Sequence, residues 1–317
     1  MNLIEMTEHY ATLFDNHFLL QGLCLHRSLT AKAAPFHLWI LCMDEAVENH
    51  LLQLDLPNVT LLPLRAVETE KLKRVKGDRT ISEYCWTLTP FLPRFVFDRA
   101  PDVKRVTYVD ADLYLFDDPA AFFDEFDGTG KHVLITDHAY APEYDQSAKY
   151  GRFCVQFVTF RNTAPAMRVL SWWQERCLEW CYARRERGKF GDQMYLDVWP
   201  ELFGDEVHVL SQKRRTIAPW NVGYLERESK GQLDPVFYHF HALRIRPDRK
   251  ITLFSGYHVG TNGRSLYANY VEALREAAGR VQGLGIQYGI IPKKRTLWAW
   301  GGRIKRRIFD TEVEAIL

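Results

Sequence analysis

Apolar runs rich in β-branched and aromatic residues alternate with helical patterns along the first half of the chain. The pattern predicts strands at 10–14, 36–43 and 59–64, a further strand that carries Asp110 within the run 106–114, and helices at 18–29, 45–54 and 80–97. Strands that alternate with helices predict a mostly parallel central sheet with helices on both faces. The fold class expected from the pattern is therefore α/β.

The second half continues with shorter strands and one strong helical pattern. Strands are predicted at 133–136, 154–160, 207–210 and 235–240. Apolar residues from Met167 to Trp180 recur at helical spacing, and Gly188 is predicted to end that helix. Asp118 before Pro119 predicts a helix start, because an acid followed by proline suits the first positions of a helix.

Two carboxylates, Asp110 and Asp112, lie in the run 106–114, which begins with an apolar, β-branched stretch. If this segment is extended, both side chains point to the same face, roughly 6–7 Å apart. Two anions at this spacing repel each other unless a cation lies between them, and a divalent metal with oxygen ligands fits that place. Ligands bind at the carboxyl ends of parallel strands, where Asp15 is also expected.

Three further segments carry candidate chemistry. Asp192 and Gln193 place an acid beside an amide, although Asp192 could equally be the cap of a short helix. His239 and His241 are predicted on one face of a strand, where one of them could complete a metal site. Trp220 and Asn221 offer an aromatic face and an amide to a sugar acceptor, or else form a rigid turn.

Composition narrows the class of protein. The chain has 317 residues, is 47% hydrophobic and carries a net charge of +1, so nothing global indicates a nucleic-acid partner. Its six cysteines mostly stand singly in apolar runs, which favours reduced core residues in a cytoplasmic protein. A zinc site, a signal peptide and a membrane-spanning segment are not expected.

The segment 291–309 has a composition of its own. It holds seven lysine or arginine residues and no acid, interleaved with Trp298, Trp300, Ile304 and Phe309. Basic residues that flank aromatic and aliphatic ones are typical of a segment lying on an anionic bilayer. A solvated basic tail whose tryptophans pack on the domain is the alternative, and nucleic-acid binding is a third.

On these residues the chain resembles the metal-dependent GT-A glycosyltransferases, which have a Rossmann-like fold. Within this class it most resembles glycosyltransferase family 8, a retaining group that includes glycogenin and the bacterial lipopolysaccharide galactosyltransferases. It is carried by an acid after the first strand, the Asp-x-Asp at 110–112, the Asp-Gln pair at 192–193 and a histidine three residues before Ala242. The family usually has glycine at this last position, and Asn-x-Gly where this chain has 153–156.

The resemblance implies a role for each matched residue. Asp110, Asp112 and His239 or His241 would hold Mn²⁺ or Mg²⁺. Asp15 and Asn16 would contact the nucleotide base, Arg94 would contact the donor, and Arg244 or Arg246 would replace the lysine that grips the diphosphate in the family. Gln193 would support the reacting sugar carbon, with Asp192 beside it. If Asp192 instead acts as a base on the acceptor, inversion of configuration is expected.

The expected function is transfer of a hexosyl unit from a nucleoside diphosphate sugar, with UDP-sugars as the expected donors, to a glycan or glycolipid. The expected setting is bacterial cell-surface polysaccharide synthesis at the inner face of the membrane. A catalytic domain is expected over 1–270, divided at 135 into nucleotide-sugar and acceptor parts, followed by a tail over 271–317. A sugar nucleotidyltransferase and a non-catalytic glycan-binding protein on the same fold are the alternatives.

Overall fold

A computed structural model of the chain describes residues 7–246, 250–290 and 312–317. The strands are β1 (Glu8–Phe14), β2 (Phe36–Cys42), β3 (Val59–Pro63), β4 (Arg105–Val109), β5 (Leu113–Leu115), β6 (Val133–Asp137), β7 (Phe153–Arg161), β8 (Val207–Val209), β9 (Thr216–Ile217), β10 (Phe237–His239), β11 (Arg244–Ile245), β12 (Lys250–Ser255) and β13 (Glu312–Ile316). The helices are α1 (Leu19–Lys32), α2 (Glu45–Leu54), α3 (Leu64–Val67), α4 (Glu70–Lys76), α5 (Ile81–Leu88), α6 (Leu92–Arg99), α7 (Ala120–Thr129), α8 (Ser147–Tyr150), α9 (Ala164–Glu179), α10 (Trp199–Leu202), α11 (Val222–Glu228) and α12 (Thr261–Gly283).

A seven-stranded sheet in the order β3-β2-β1-β4-β7-β6-β8 forms the centre of the molecule. All neighbouring strands run parallel except β7, which is antiparallel to both β4 and β6. The carboxyl ends of β1, β4 and β6 therefore lie at one edge of the sheet. The α/β fold class and the mostly parallel sheet predicted from the hydrophobic pattern are confirmed.

The two faces of the sheet are covered by separate hydrophobic cores. Along β1, Tyr10 and Phe14 belong to one core while Ala11 and Leu13 belong to the other. This alternation follows from the two-residue period of a strand, which sends successive side chains to opposite faces. Because helices cover both faces, the strands are mainly apolar on both sides, and the acidic residues Asp15 and Asp110 come directly after strand ends.

A second, three-stranded sheet in the order β5-β10-β9 stands beside the central one. The chain leaves the central sheet at the end of β4 and enters this second sheet at β5 after three residues. Strand β10 pairs antiparallel with β5, and His239 at its end is in register with Leu113. The polypeptide at 110–112 is therefore the junction between the two sheets.

Two predicted helix boundaries were wrong. The single helix expected over 80–97 is broken by a 3₁₀ turn at Thr89–Phe91, with Pro90 in the turn and Pro93 in the first turn of α6. Proline lacks the backbone N–H that a helix interior needs, so the two prolines determine where the helix breaks. The helix expected to end at Gly188 ends at Glu179.

The carboxyl-terminal part of the chain packs against the main domain. The predicted boundary at residue 270 falls inside α12, which contacts α1 and has buried residues on both sides of that position. Strand β13 pairs antiparallel with β12. The basic segment predicted to touch membranes, 291–309, lies outside the described residues. Among the described residues, no helix is both long and apolar enough to cross a bilayer.

Candidate active site

A cleft of about 640 Å³ opens at the carboxyl-terminal edge of the central sheet. Its floor carries Asp15 from the end of β1 and Asp110 from the end of β4. Its walls are rich in aromatic side chains, among them Trp86, Tyr140 and Trp220. The location agrees with the expectation that ligands bind outside the carboxyl ends of parallel strands.

Asp110 and Asp112 both line this cleft, but not because the segment is extended. Strand β4 ends at Val109, and the backbone N–H of Leu113 donates to the carbonyl of Asp110 over 3.1 Å, which closes a turn. The expected strand geometry was therefore wrong for these two residues. The Tyr108 hydroxyl donates to Asp110 over 2.8 Å and orients that carboxylate.

His239 completes a cluster with the two carboxylates. Its Nε2 lies 3.2 Å from Oδ1 of Asp112 and 3.7 Å from Oδ2 of Asp110. The other ring nitrogen, Nδ1, lies 2.7 Å from the side-chain oxygen of Gln156, an oxygen that can only accept. Nδ1 therefore carries a hydrogen in the neutral as well as in the protonated ring, and Nε2 is the ring nitrogen that faces the carboxylates.

The charges of this cluster are strongly coupled. Burial and the Asp112 charge raise the pKa of Asp110, although His239 opposes them. Burial disfavours the charged form of Asp112 as well, but the charge and hydrogen bond of His239 lower its pKa to about 2. Burial would lower the pKa of His239, yet Asp112 and then Asp110 raise it well above its usual range. Without a metal, the imidazolium is thus the cation that compensates the carboxylates.

These three residues fit a divalent metal ion. One ligand atom from each of Asp110, Asp112 and His239 lies within 4.8 Å of the others. Two carboxylate oxygens and an imidazole suit Mn²⁺ and related ions, and the Gln156 contact holds the imidazole as metal-ligating histidines require. A bound ion would take the place of the His239 proton.

His241 lies next to this cluster rather than in it. Strand β10 ends at His239, and Ala242 adopts a left-handed φ of 65°, so the chain turns at this point. The expected shared strand face for the two histidines was therefore wrong. The His241 ring is exposed to the cleft, 5.6 Å from the ring of His239. The conformation of Ala242 is one that glycine adopts more readily.

Asp192 and Gln193 line the cleft at the start of a 3₁₀ segment, Gln193–Val198. Asp192 occupies the cap position, but its side chain makes no capping hydrogen bond and is buried. Burial, and after it the charge of Asp110, raises the pKa of Asp192 well above its usual range. The amide nitrogen of Gln193 donates to the carbonyl of Tyr150 over 2.7 Å.

Four other residues, Asp15, Asn16, Arg94 and Arg244, were predicted to contact the donor. Of these, Asp15 and Arg244 line the cleft. Asn16 does not, because its side chain donates to the carbonyl of Gln287 and contacts Nδ1 of His50. Arg94 does not either, since its guanidinium lies half exposed on α6 and donates to Asp98 over 3.0 Å.

The predicted acceptor residues have different surroundings. Trp220 lines the cleft, with its ring 5.5 Å from that of His239 and its N–H donated to the carbonyl of His138 over 2.7 Å. Asn221 is 1% exposed. Its side chain accepts from the backbone N–H of Ala218 over 2.9 Å and donates to the carbonyls of Thr216 and His138. Asn221 therefore holds the turn together and presents nothing to the cleft.

Sequence reasoning missed residues that act through shape or through other side chains. Gln156 was noted as a departure from the resembled family and not as the partner of His239. Tyr140, Tyr150 and Phe190 line the cleft but stand in segments without a motif. Tyr140, Tyr144 and Tyr150 stand close together in the sequence and could have indicated an aromatic wall of a binding site. Their spacing does not show which of the rings faces the cleft.

The fold is that of GT-A glycosyltransferases. An active-site mutant of the galactosyltransferase LgtC superposes with a TM-score of 0.52 at 12% identity, covering 93% of this chain and 99% of that one. Mouse xyloside xylosyltransferase 1 gives a TM-score of 0.51 at 15% identity, covering 75% of this chain and 98% of that one. At these identities the likeness establishes the architecture alone.

Sequence comparison finds relatives of this chain in Bacillus subtilis. No family model matches. YfnF of Bacillus subtilis strain 168 is 33% identical over 253 residues, which cover 76% of this chain and 83% of YfnF. YfnD of the same strain is 29% identical over 306 residues, covering 90% of this chain and 96% of YfnD. The chain belongs to the same family as YfnF; both relatives are named as uncharacterized proteins.

The buried amide of Asn221 gives a test of its structural role. We expect Asn221→Ala to lower the free energy of unfolding by about 1–3 kcal/mol, because buried backbone groups lose their partners. Urea denaturation followed by circular dichroism measures this. Gln232→Ala, at an exposed surface position, is the control and should change little. An unfolding free energy that Asn221→Ala leaves unchanged would contradict the structural role.

Proposed function

We propose that this protein is a metal-dependent glycosyltransferase that moves a hexosyl unit from a nucleoside diphosphate sugar to a hydroxyl of a glycan or glycolipid. The observation that carries the proposal is the cluster of Asp110, Asp112 and His239 in a cleft with aromatic walls. Two partly buried carboxylates held close together repel each other and cost stability, so their convergence is best explained by a ligand that needs them.

Each side chain then has a task in transfer. Asp110, Asp112 and His239 would hold Mn²⁺ or Mg²⁺, which neutralises the diphosphate and stabilises the leaving nucleotide. Arg244, which also lines the cleft, would add a positive charge that attracts the diphosphate. Asp15 lies at the end of β1, where its carboxylate can accept hydrogen bonds from a base such as uracil. The glycosyltransferase names of the structural neighbours support sugar transfer.

Two other functions fit less well. A sugar nucleotidyltransferase usually opens with a glycine-rich phosphate loop after its first strand. Here β1 is followed by Asp15, whose carboxylate accepts from the backbone N–H of His17 over 2.9 Å and leaves no such cradle. A glycan-binding protein would need the aromatic walls but not the cluster of Asp110, Asp112 and His239.

The metal site is tested by isosteric removal of one charge at a time. We expect Asp110→Asn and Asp112→Asn to lower metal-dependent hydrolysis of nucleotide sugars at least about 100-fold, because the metal contributes several kcal/mol. Stabilisation of the protein by MnCl₂ with UDP, measured as a thermal shift, should also disappear. Both variants should remain folded by circular dichroism.

Asp124→Asn makes the same chemical change on an exposed face of α7 and serves as the matched control. It should retain the hydrolysis rate and the thermal shift. Hydrolysis that persists in Asp110→Asn at the rate of the control would contradict the metal assignment, and a panel of donors that differ in base and sugar identifies the substrate.

Retention of configuration is proposed from the family resemblance, with Gln193 beside the reacting carbon. The position of Asp192, which lines the cleft and makes no capping hydrogen bond, favours a second candidate, an inverting transferase in which this side chain acts as the general base on the acceptor hydroxyl. We expect ¹H NMR of the product to show the anomeric configuration of the donor. An inverted product, together with loss of transfer in Asp192→Asn, would favour the second candidate.

We propose further that the protein works in bacterial cell-surface polysaccharide synthesis on the cytoplasmic side of the membrane. The support is the composition of 291–309, whose basic residues could each add about 1 kcal/mol of attraction to anionic lipid. Replacing all seven with glutamine leaves β13 in the chain, which truncation would remove. The seven are Lys293, Lys294, Arg295, Arg303, Lys305, Arg306 and Arg307.

We expect this variant to lose sedimentation with phosphatidylglycerol vesicles, while the unmodified protein sediments with them. Phosphatidylcholine vesicles are the control and should bind neither protein strongly. Equal binding of both proteins to phosphatidylglycerol would exclude the segment as a membrane contact.

A further inference from the structure

A tight hairpin lies between α9 and the Asp192–Gln193 corner. Glu186 and Lys189 exchange two backbone hydrogen bonds of 3.1 and 2.9 Å, and the two residues between them, Arg187 and Gly188, have φ values of 48° and 77°. Two successive positive φ values are typical of the type I′ turn that joins short antiparallel strands. We refer to residues 182–191 as the basic hairpin.

The base of the basic hairpin is fixed to the domain. The N–H of Gly191 donates to the carbonyl of Tyr182 over 3.0 Å and closes the loop. The Tyr182 hydroxyl donates to Asp78 over 2.8 Å, and the N–H of Ala183 donates to Glu83 at the start of α5 over 2.7 Å. The hairpin therefore has a defined direction relative to α5, whose side chains line the cleft.

The hairpin concentrates positive charge. It contains four cations and one acid, a net charge of +3 in a chain whose total is +1. Arg184 pairs with Glu186 over 3.2 Å and lies over the Tyr182 ring. Within the described part of the chain, Arg185 and Arg187 have no acidic partner, and both are exposed. Arginine also has no conformational reason to occupy the positive φ at 187.

The basic hairpin reaches the cleft through Phe190. Phe190 belongs to the hairpin and lines the cleft, with its ring 4.8 Å from the ring of Tyr150. Tyr150 in turn accepts the hydrogen bond of Gln193. Phe190 follows Arg187 by three positions, so their Cα atoms lie within about 10 Å of each other. An extended ligand on the two rings can reach the guanidinium groups.

We propose that the basic hairpin, with the faces of Phe190 and Tyr150, forms a binding subsite for an acidic saccharide, which makes the acceptor of the transferase an anionic glycan. This inference rests on the proposed function and adds the class of its acceptor. Aromatic rings pack against the apolar faces of sugars. The planar guanidinium matches a carboxylate or phosphate in a bidentate manner, which suits Arg185 and Arg187.

An anionic lipid headgroup is the other source of such a charge. The tip of the hairpin consists of Arg187 and Gly188 and carries no apolar side chain that could enter a bilayer. The two rings at its base face the cleft instead. These features favour a saccharide, and vesicles form the second arm of the test.

The test starts with the unmodified protein. Metal-dependent hydrolysis of a nucleotide sugar establishes whether the proposed function holds. Binding of tetragalacturonate and of maltotetraose is then measured in the presence of Mn²⁺ and UDP, at low and at high salt. We expect tetragalacturonate to bind at least tenfold more tightly at low salt and to lose that preference as salt screens the charges.

Arg185→Gln with Arg187→Gln should weaken tetragalacturonate binding about tenfold, the effect of two partly exposed ion pairs, and leave maltotetraose binding unchanged. Arg99→Gln with Lys104→Gln removes two exposed cations at the opposite edge of the sheet and should change neither. Phe190→Ala should weaken both ligands, because the rings contact any sugar.

The outcomes separate the two proposals. No hydrolysis of any donor by the unmodified protein would overturn the proposed function. Hydrolysis with equal affinity for the two tetrasaccharides, or with tetragalacturonate binding that the double arginine variant retains, would overturn the acidic-saccharide subsite alone. Loss of phosphatidylglycerol-vesicle binding in that variant, without loss of tetragalacturonate binding, would assign the hairpin to lipid and overturn it too.

Discussion

The candidate site depends on the junction at which the chain leaves one sheet for another. After β4 the backbone turns at 110–112 and continues as β5, which pairs with β10. Because His239 is opposite Leu113, and because the N–H of Phe240 donates to the carbonyl of Asp112 over 2.9 Å, the histidine stands beside the carboxylates. Backbone pairing thus brings together Asp112 and His239, which are 127 positions apart in the sequence.

The electrostatics of this cluster explain why it is suited to exchange a proton for a metal ion. Two partly buried carboxylates need a compensating charge, and in the protein alone His239 supplies it. The proposed divalent ion would supply more charge at the same place, so the imidazole would become neutral and act as a ligand. The Gln156 contact accepts the Nδ1 hydrogen in either state and keeps the ring in position. The same geometry therefore serves both forms of the site.

The sequence contains much of the fold because the central strands are buried on both sides and bounded by clear turn residues. The predicted helix 45–54 matches α2, and the strand at 36–43 differs from β2 by a single residue. The helix over 80–97 was wrong because the apolar period was followed through Pro90 and Pro93, whose missing N–H groups break it. The positions of these helices and strands are therefore determined by residues within or next to each element.

The site was only partly predictable, because several of its properties are set by distant contacts. The Asp-x-Asp spacing was enough to find Asp110 and Asp112, yet their common orientation comes from a turn. Asn221 has a side-chain amide of the kind that binds sugars, but this amide is buried and makes three hydrogen bonds within the fold. The Gln156–His239 contact joins residues 83 positions apart, and no local pattern announces such a pair.

The cleft also separates its charges, and this separation has a chemical consequence. Its floor carries Asp15, Asp110 and Asp112, so an anionic ligand would be repelled there unless a cation accompanied it. The basic hairpin belongs to a different stretch of chain, and its positive charge stands beside the aromatic rim formed with Phe190. Under the proposed function, the diphosphate of the donor and an acidic acceptor would therefore be held at the same time without sharing a cation. If one patch of positive charge served both, each anion would compete with the other, and the two proposed substrates would not bind together.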